Sequence, residues 1–372
     1  MKLKIVADAA LHCLEVLEEH DVIRVPGREI AAEHLQGANA LLVRSITNVN
    51  QDLIAQADDL TYVGTATIGT DHIDINALRQ REIGFSSAPG CNANAVVDYV
   101  LSALFSCFSS DSQYELAELC IGIAGYGNVG KRLARALSDL NIEAKVYDPL
   151  LDQTLIPNAC NLTEFLACDV ISLHVPMSTD GPYPTAQWFS KKTFARMQHL
   201  KCLINTSRGD VIDQSALLDF IKSKSNNEFL AVLDVWPGEP KINMDLLEHC
   251  CFASPHIAGH SMAGKLRGSL AIFEGLQKHF KIKLYKKGYL ELERSIQKVA
   301  KTVDWFGGLA QGDDKLIIEN ARGSLAKIID LEVLSDEFKS MLVAEPSVEK
   351  WPKLFDDYRK SYQPRQEYLY LP

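Results

Sequence analysis

A glycine-rich turn between an apolar run and a helical stretch constrains this chain more than any other feature. Cys120-Ile121-Gly122-Ile123-Ala124 reads as a buried strand, Gly125-Tyr126-Gly127-Asn128-Val129-Gly130 as the turn, and Lys131-Arg132-Leu133-Ala134-Arg135-Ala136-Leu137 as the helix that follows. Here the first glycine permits the tight turn, the second lets the backbone approach a pyrophosphate, and the third lets the helix pack on the strand. The amides at the helix N-terminus, at Asn128 and Val129, then face phosphate oxygens. The next apolar run, Lys145-Val146-Tyr147, ends at Asp148, a carboxylate placed to accept from ribose hydroxyls and to repel a 2′-phosphate. NAD is therefore the expected cofactor.

The rest of the chain repeats the alternation of short apolar runs and helical spacing. Runs at residues 3–8, 40–45, 62–66 and 84–87 form one series, and runs at 120–124, 144–147, 169–174, 202–205, 229–234 and 251–253 form another. Such alternation predicts parallel sheets covered by helices on both faces. The expected class is α/β, with two doubly wound domains. Residues 92–109 are apolar nearly all round and predict a buried helix at the junction of the two series; a second helix is expected over 262–280. Beyond residue 285 the texture changes to a charged, aromatic-rich segment without a phosphate loop, expected to be a small α+β C-terminal domain.

Composition narrows the functional classes. An apolar content of 47% excludes general disorder, and a net charge of −10 argues against duplex nucleic acid as a partner. No apolar run approaches the ~18 residues of a membrane span. The nine cysteines lack a CxxC pair and read as reduced thiols of a cytoplasmic protein. Asp71-His72 with Asp74, and His249-Cys250-Cys251, lack the spacing of a four-ligand site, so no metal is expected.

Three segments end strands of the second series: Asn205-Thr206-Ser207-Arg208-Gly209, Asp234-Val235-Trp236-Pro237-Gly238-Glu239, and Pro255-His256-Ile257-Ala258-Gly259-His260. Ligand crevices of open α/β sheets lie at the carboxyl ends of strands. Oxidation of a secondary alcohol by NAD needs a base for the hydroxyl proton. His256 suits that role, Glu239 would orient and stabilise its ring, and Arg208 offers a planar fork for a carboxylate.

With the Gly125–Gly130 turn, Asp148, Arg208, Glu239 and Pro255-His256 in this order, the chain resembles the D-isomer-specific 2-hydroxyacid dehydrogenases over residues 1 to about 280. The resemblance implies a flavodoxin-like substrate domain made of 1–91 and 256–285, a Rossmann NAD domain over 92–255, and Arg208, Glu239 and His256 as catalytic residues. Loops at Arg44-Ser45, Thr65-Ala66-Thr67-Ile68-Gly69-Thr70 and Pro89-Gly90-Cys91 are similar to a branch acting on a small phosphorylated 2-hydroxy acid. That branch carries its own C-terminal dimerisation domain, here 286–372, which implies a homodimer. Arg359, Lys360 or Arg365 would then approach the partner's substrate phosphate.

The resemblance further implies substrate contacts at Arg44, Ser45 and Thr67. It places cofactor contacts at Gly125, Gly127, Asn128, Val129, Gly130, Asp148, Thr206, Ser207, Arg208, Asp234 and Gly259. His260 stands where the family typically has a substrate-contacting tyrosine, and Val175 replaces a threonine near the cofactor. The alternatives are another phosphorylated 2-hydroxy acid such as 3-phosphoglycerate, and a non-enzymatic NAD(H)-sensing co-regulator on the same fold.

Overall fold

The apolar runs form two parallel sheets. The computed structural model describes residues 2–109, 112–224, 228–302 and 314–370. The chain folds into two compact units, Met1–Ala93 with His260–Lys301, and Asn94–Gly259 with Thr302–Pro372.

In the first unit β1 (Lys4–Asp8), β2 (Asp21–Val25), β3 (Ala40–Val43), β4 (Tyr62–Thr65) and β5 (Gly84–Ser86) are arranged in the order β2-β1-β3-β4-β5. This is the flavodoxin-like order of a doubly wound sheet. Sequence reading passes over β2. It is an edge strand with only Val25 buried, so it lacks the continuous apolar run of its neighbours. Separate apolar clusters cover the two faces. One of them is built on helix Met262–Phe280, whose Ser261 N-cap accepts from the Gly264 amide at 3.0 Å.

In the second unit β6 (Ile121–Ala124), β7 (Ala144–Tyr147), β8 (Val170–Leu173), β9 (Cys202–Asn205), β10 (Leu230–Leu233) and β11 (Phe252–Ala253) follow the order β11-β10-β9-β8-β6-β7. A parallel bridge between Val146 and Ala159 extends the sheet beyond β7. With that bridge as the third position, the winding is that of a Rossmann sheet. Helix Ala93–Cys107 packs its apolar residues into the cluster on one face, and Asp98 is fully buried on it.

The C-terminal residues depart from the expected third unit. Helix Lys286–Val299 belongs to the first unit and buries Leu292 in that unit's core. Residues from 302 on belong to the second unit. There Ile317, Leu325 and Tyr370 complete one apolar cluster, while Phe338 and Phe355 complete the other. A segment that fills the cores of both units has no need of a separate one. The aromatics of this segment serve the same purpose: Phe355 and Tyr370 are buried, and Phe355 meets Phe338 edge-on at 5.9 Å.

Asp98 ties the end of the chain to the second unit. Its carboxyl accepts from the Tyr370 hydroxyl at 2.6 Å and from the Tyr368 amide at 3.1 Å. Burial pushes this carboxyl up to about 8, against the pull of the Tyr370 hydroxyl, the Arg365 charge and the Tyr368 amide. The folded state therefore holds a proton that the unfolded chain releases near its ordinary value of 3.8. This contribution is fully present below the unfolded value and is lost as pH rises through the folded one. The Tm of the unmodified chain, measured relative to Asp98→Asn, should fall between about pH 5 and about pH 8. A Tm difference that does not vary with pH contradicts this.

Candidate active site

The glycine-rich turn is shaped to receive a ligand. Gly125 has φ +89°, and a Cβ on Gly130 would stand 2.0 Å from the Gly125 carbonyl oxygen, so the helix rests directly on the turn. Gly127, by contrast, would meet nothing within 4 Å. It is the N-cap of helix Asn128–Asp139 and supplies no side-chain cap, which leaves the first amides open. Gly127 and Asn128 are exposed and Val129 is half-buried. At the end of β7, Asp148 accepts from the Tyr126 amide at 2.9 Å and from the Leu150 amide at 3.1 Å, which fixes its carboxylate beside the turn.

The loop after β8 passes under this turn. A Cβ on Gly125 would lie 2.6 Å from the His174 carbonyl oxygen and 3.2 Å from Val175 Cγ1. Burial drives His174 down to about 3, and its Nε2 lies 2.9 Å from Ser172 Oγ. It is a neutral structural imidazole.

After β9, Asn205 organises the next loop. Its Oδ1 accepts from the Ser207 amide at 3.0 Å and the Ser207 hydroxyl at 2.8 Å, and its Nδ2 donates to the Arg208 carbonyl at 2.9 Å. The Thr206 hydroxyl is buried and finds no hydrogen-bond partner among the described residues. A buried orphan hydroxyl and an open helix N-terminus on the same sheet fit a phosphate-bearing cofactor. Gly209, at the end of this segment, decides how close this loop comes to the next. A Cβ there would stand 2.0 Å from the Trp236 carbonyl carbon, so only glycine lets the Arg208 loop press on the loop after β10.

That loop delivers Glu239 to His256. His256 Nδ1 lies 2.5 Å from Glu239 Oε1, and the Trp236 amide donates to Oε2 at 3.1 Å. Burial alone would raise the Glu239 carboxyl. The charge and hydrogen bond of His256, the Trp236 amide and the charge of Arg359 together hold it below the usual carboxylate value. Glu239 is thus an anion that can only accept, so Nδ1 is the donor and Nε2 is the ring nitrogen left to exchange a proton.

Asp234, expected at the cofactor, has its carboxylate turned inward. It is 1% exposed, and it accepts from Ser254 Oγ at 2.6 Å, the Ile257 amide at 2.7 Å and the Ala258 amide at 3.0 Å. Its carbonyl accepts the His256 amide at 2.7 Å. Gly259, which follows, is half-buried. Arg365 is likewise buried on its own subunit, where it donates to the carbonyls of Ile257 and Ala95, at 3.0 and 2.7 Å, and of Ala258. It is not available to a partner's phosphate.

In the first unit, the residues expected at the substrate also end strands. After β3, Arg44 forms a bidentate pair with the fully buried Asp8 at the end of β1, with Nε to Oδ2 at 2.8 Å and Nη2 to Oδ1 at 3.2 Å. Ser45 beside it is exposed. After β4, Thr67 donates to the Gly69 carbonyl at 2.8 Å and lies 2.7 Å from Thr65 Oγ1, which in turn meets His72 Nε2 at 2.9 Å. Half-buried His260 stands just before the N-cap of helix Met262–Phe280. Sequence reading missed Asp8, although its place at a strand end was a usable signal.

Residues 106–258 match the model of the D-isomer specific 2-hydroxyacid dehydrogenase, NAD binding domain. The chain is 43% identical over 281 residues to an erythronate-4-phosphate dehydrogenase of Tolumonas auensis, covering 75% of this chain and 74% of that protein. To the protein of that name from Teredinibacter turnerae it is 36% identical over 368 residues, covering 98% and 93%. Among solved structures, a 3-phosphoglycerate dehydrogenase of Entamoeba histolytica with bound NAD+ shares the fold. It has a TM-score of 0.64 and 24% identity, and the match covers 76% of this chain and 96% of that one. A D-lactate dehydrogenase of Aquifex aeolicus shares it too, at TM-score 0.61 and 22% identity, over 78% and 98%. On its sheet order, its glycine turn and its likeness over nearly the whole length to these relatives, the chain belongs to the erythronate-4-phosphate dehydrogenases of the D-isomer-specific 2-hydroxyacid dehydrogenase family.

Proposed function

We infer that this chain oxidises the 2-hydroxyl of 4-phospho-D-erythronate to 3-hydroxy-2-oxo-4-phosphooxybutanoate with NAD, a step in pyridoxal 5′-phosphate biosynthesis. The carrying observation is the 2.5 Å pair of His256 and Glu239 at the strand ends of a Rossmann sheet. It occurs in a chain whose relatives across 98% of its length bear the name erythronate-4-phosphate dehydrogenase. The names of these relatives favour neither 3-phosphoglycerate as the substrate nor a purely sensory role.

Bound NAD supplies the acceptor for the hydride that leaves C2. His256 Nε2 takes the hydroxyl proton, and anionic Glu239 stabilises the imidazolium that results. Arg208 supplies a planar cation for the substrate carboxylate and for the oxygen that becomes a carbonyl. Arg44, held by Asp8, serves the substrate with Ser45, Thr67 and His260. The turn from Gly125 to Gly130, Asp148, Val175, the Thr206 hydroxyl and Ser207 serve the cofactor. Asp234 and Gly259 contribute through the loop they shape.

NADH formation against a panel of phosphorylated and unphosphorylated 2-hydroxy acids tests the substrate, with 4-phospho-D-erythronate expected to be preferred. In the same assay NADP should be a poor substitute, and Asp148→Ala should narrow the gap. Equal use of both cofactors by the unmodified chain would remove Asp148 from the ribose.

Two substitutions test the base. His256→Asn should lower turnover by about 10²–10⁴-fold with NAD still bound. Glu239→Gln should cost less and move the acid limb of the kcat/KM profile to lower pH, because the imidazolium loses its anionic partner. Near-normal turnover in the first variant, or an unmoved profile in the second, contradicts these roles.

The same reading makes the protein a cytoplasmic homodimer that uses its C-terminal residues. Nine free thiols support the compartment. For the dimer the support is a set of exposed apolar side chains, Leu316, Val333, Val343, Val348 and Leu369, all in the C-terminal segment. Light scattering of the full chain at micromolar concentration should give twice the mass of 41.3 kDa. Val333→Lys with Val343→Lys should halve it; a monomeric unmodified chain refutes the dimer.

A further inference from the structure

His256 stands at φ +57°, in the left-handed region. A non-glycine residue keeps such a conformation only where its surroundings over-determine it. One side of the loop is fixed by Asp234, which takes the amides of His256, Ile257 and Ala258 on its carbonyl and its two carboxylate oxygens. The carbonyls of the two residues that follow His256, Ile257 and Ala258, are fixed by a single side chain. Arg365 donates from Nη1 to Ile257 O at 3.0 Å and from Nη2 to Ala258 O, with a further bond from Nη2 to Ala95 O at 2.7 Å on helix Ala93–Cys107. Arg365 is 7% exposed and lies 108 residues beyond Ile257 in sequence.

The segment that carries it is anchored on that same helix. Tyr370 and Tyr368 donate to Asp98, and Asn94 Nδ2 donates to the fully buried Glu367 at 3.3 Å. All of these groups lie in the second unit.

We propose that Arg365 is a positioning residue for His256: Asp234 holds the amides and Arg365 the carbonyls of the two residues after His256, Ile257 and Ala258, and together they set the direction of the imidazole. The end of the chain is then part of the proton-transfer apparatus of its own subunit. This rests on His256 being the base, as inferred above. The guanidinium suits the task because its planar fork reaches several carbonyls at once. A lysine ammonium keeps the charge but presents one donor centre.

The test compares Arg365→Lys and Arg365→Met with the unmodified full-length protein by two independent readouts. Hydrogen exchange of a peptide covering 252–260 should quicken about tenfold or more in both variants, while a peptide covering the 125–133 turn is unchanged. Turnover of 4-phospho-D-erythronate should fall by up to about 10²-fold at constant KM for NAD. The acid limb of its pH profile should move toward that of Glu239→Gln.

Unchanged exchange in Arg365→Lys overturns the proposal. So does quickened exchange with unchanged turnover, because the loop would then be held without consequence for the base. A parallel loss of NAD affinity and of protection throughout the second unit also overturns it, since Arg365 would then be a general support. Should Arg365→Met fail to fold, the lysine variant decides alone. If the unmodified chain does not oxidise the substrate, the proposed function falls, while the exchange comparison still decides the clamp.

Discussion

Three consecutive amides, those of His256, Ile257 and Ala258, converge on one buried residue, Asp234. The rest of the site depends on that convergence. Left-handed backbone at a non-glycine residue costs of order 1–3 kcal/mol. A hydrogen bond to a charged group contributes about 1.5–3 kcal/mol net. Two such bonds, to Ile257 and Ala258, therefore suffice to hold His256 in a conformation it would otherwise leave. Burying the carboxylate is costly in its turn. Burial pushes Asp234 upward, against the His256 charge, the Ser254 hydroxyl and the two amides. The cost is contained because the surroundings are themselves tied down: Tyr99 OH lies 2.7 Å from Ser254 Oγ, and Trp236 Nε1 donates to the Ser254 carbonyl at 2.8 Å.

The same tryptophan joins the base to the anion loop. The Trp236 amide donates to Glu239, while its carbonyl carbon stands where a side chain on Gly209 would have to go. Two strand-end loops are pressed together at Gly209, and the third is hung from Asp234. The backbones of neighbouring residues thus help to place Arg208, Glu239 and His256. Such support from outside the reacting groups is what fixes a catalytic constellation to within a fraction of an ångström.

Much of this was legible along the chain, and the part that was not has a common cause. Strands that are buried on both faces announce themselves as apolar runs, so β6, β8 and β9 and the loops that leave their carboxyl ends could be read directly. Edge strand β2 could not, because water on its outer side permits Asp21 and Arg24. Asp234 was legible as a strand-end carboxylate, but nothing local says whether such a group faces a ligand or the protein. Arg365 was legible only as a cation for a partner's phosphate, and nothing local points to the contacts it makes. Its partners are Ala95, Ile257 and Ala258, and a contact spanning more than a hundred residues imposes no period or spacing on either segment. The burial of Phe355 and Tyr370 left no local signal either, since aromatic side chains suit a core and an interface alike.

Asp234 and Arg365 carry opposite charges, and both are buried. Neither is there for stability alone, because a buried charge is costly to desolvate and well-packed apolar side chains of similar volume commonly stabilise as much or more. What apolar side chains cannot do is accept from amides or donate to carbonyls. The backbone of Ile257 and Ala258 has only those groups by which it can be held. An acceptor on one face and a donor on the other restrict translation along the bond directions and rotation about the chain. A single partner on one face would leave the rotation free. The imidazole of His256 projects from the first residue of this turn, so freedom in the peptides becomes displacement of the ring nitrogen. The paired charges therefore act as a constraint on direction, and their burial keeps water from competing for the same amides and carbonyls.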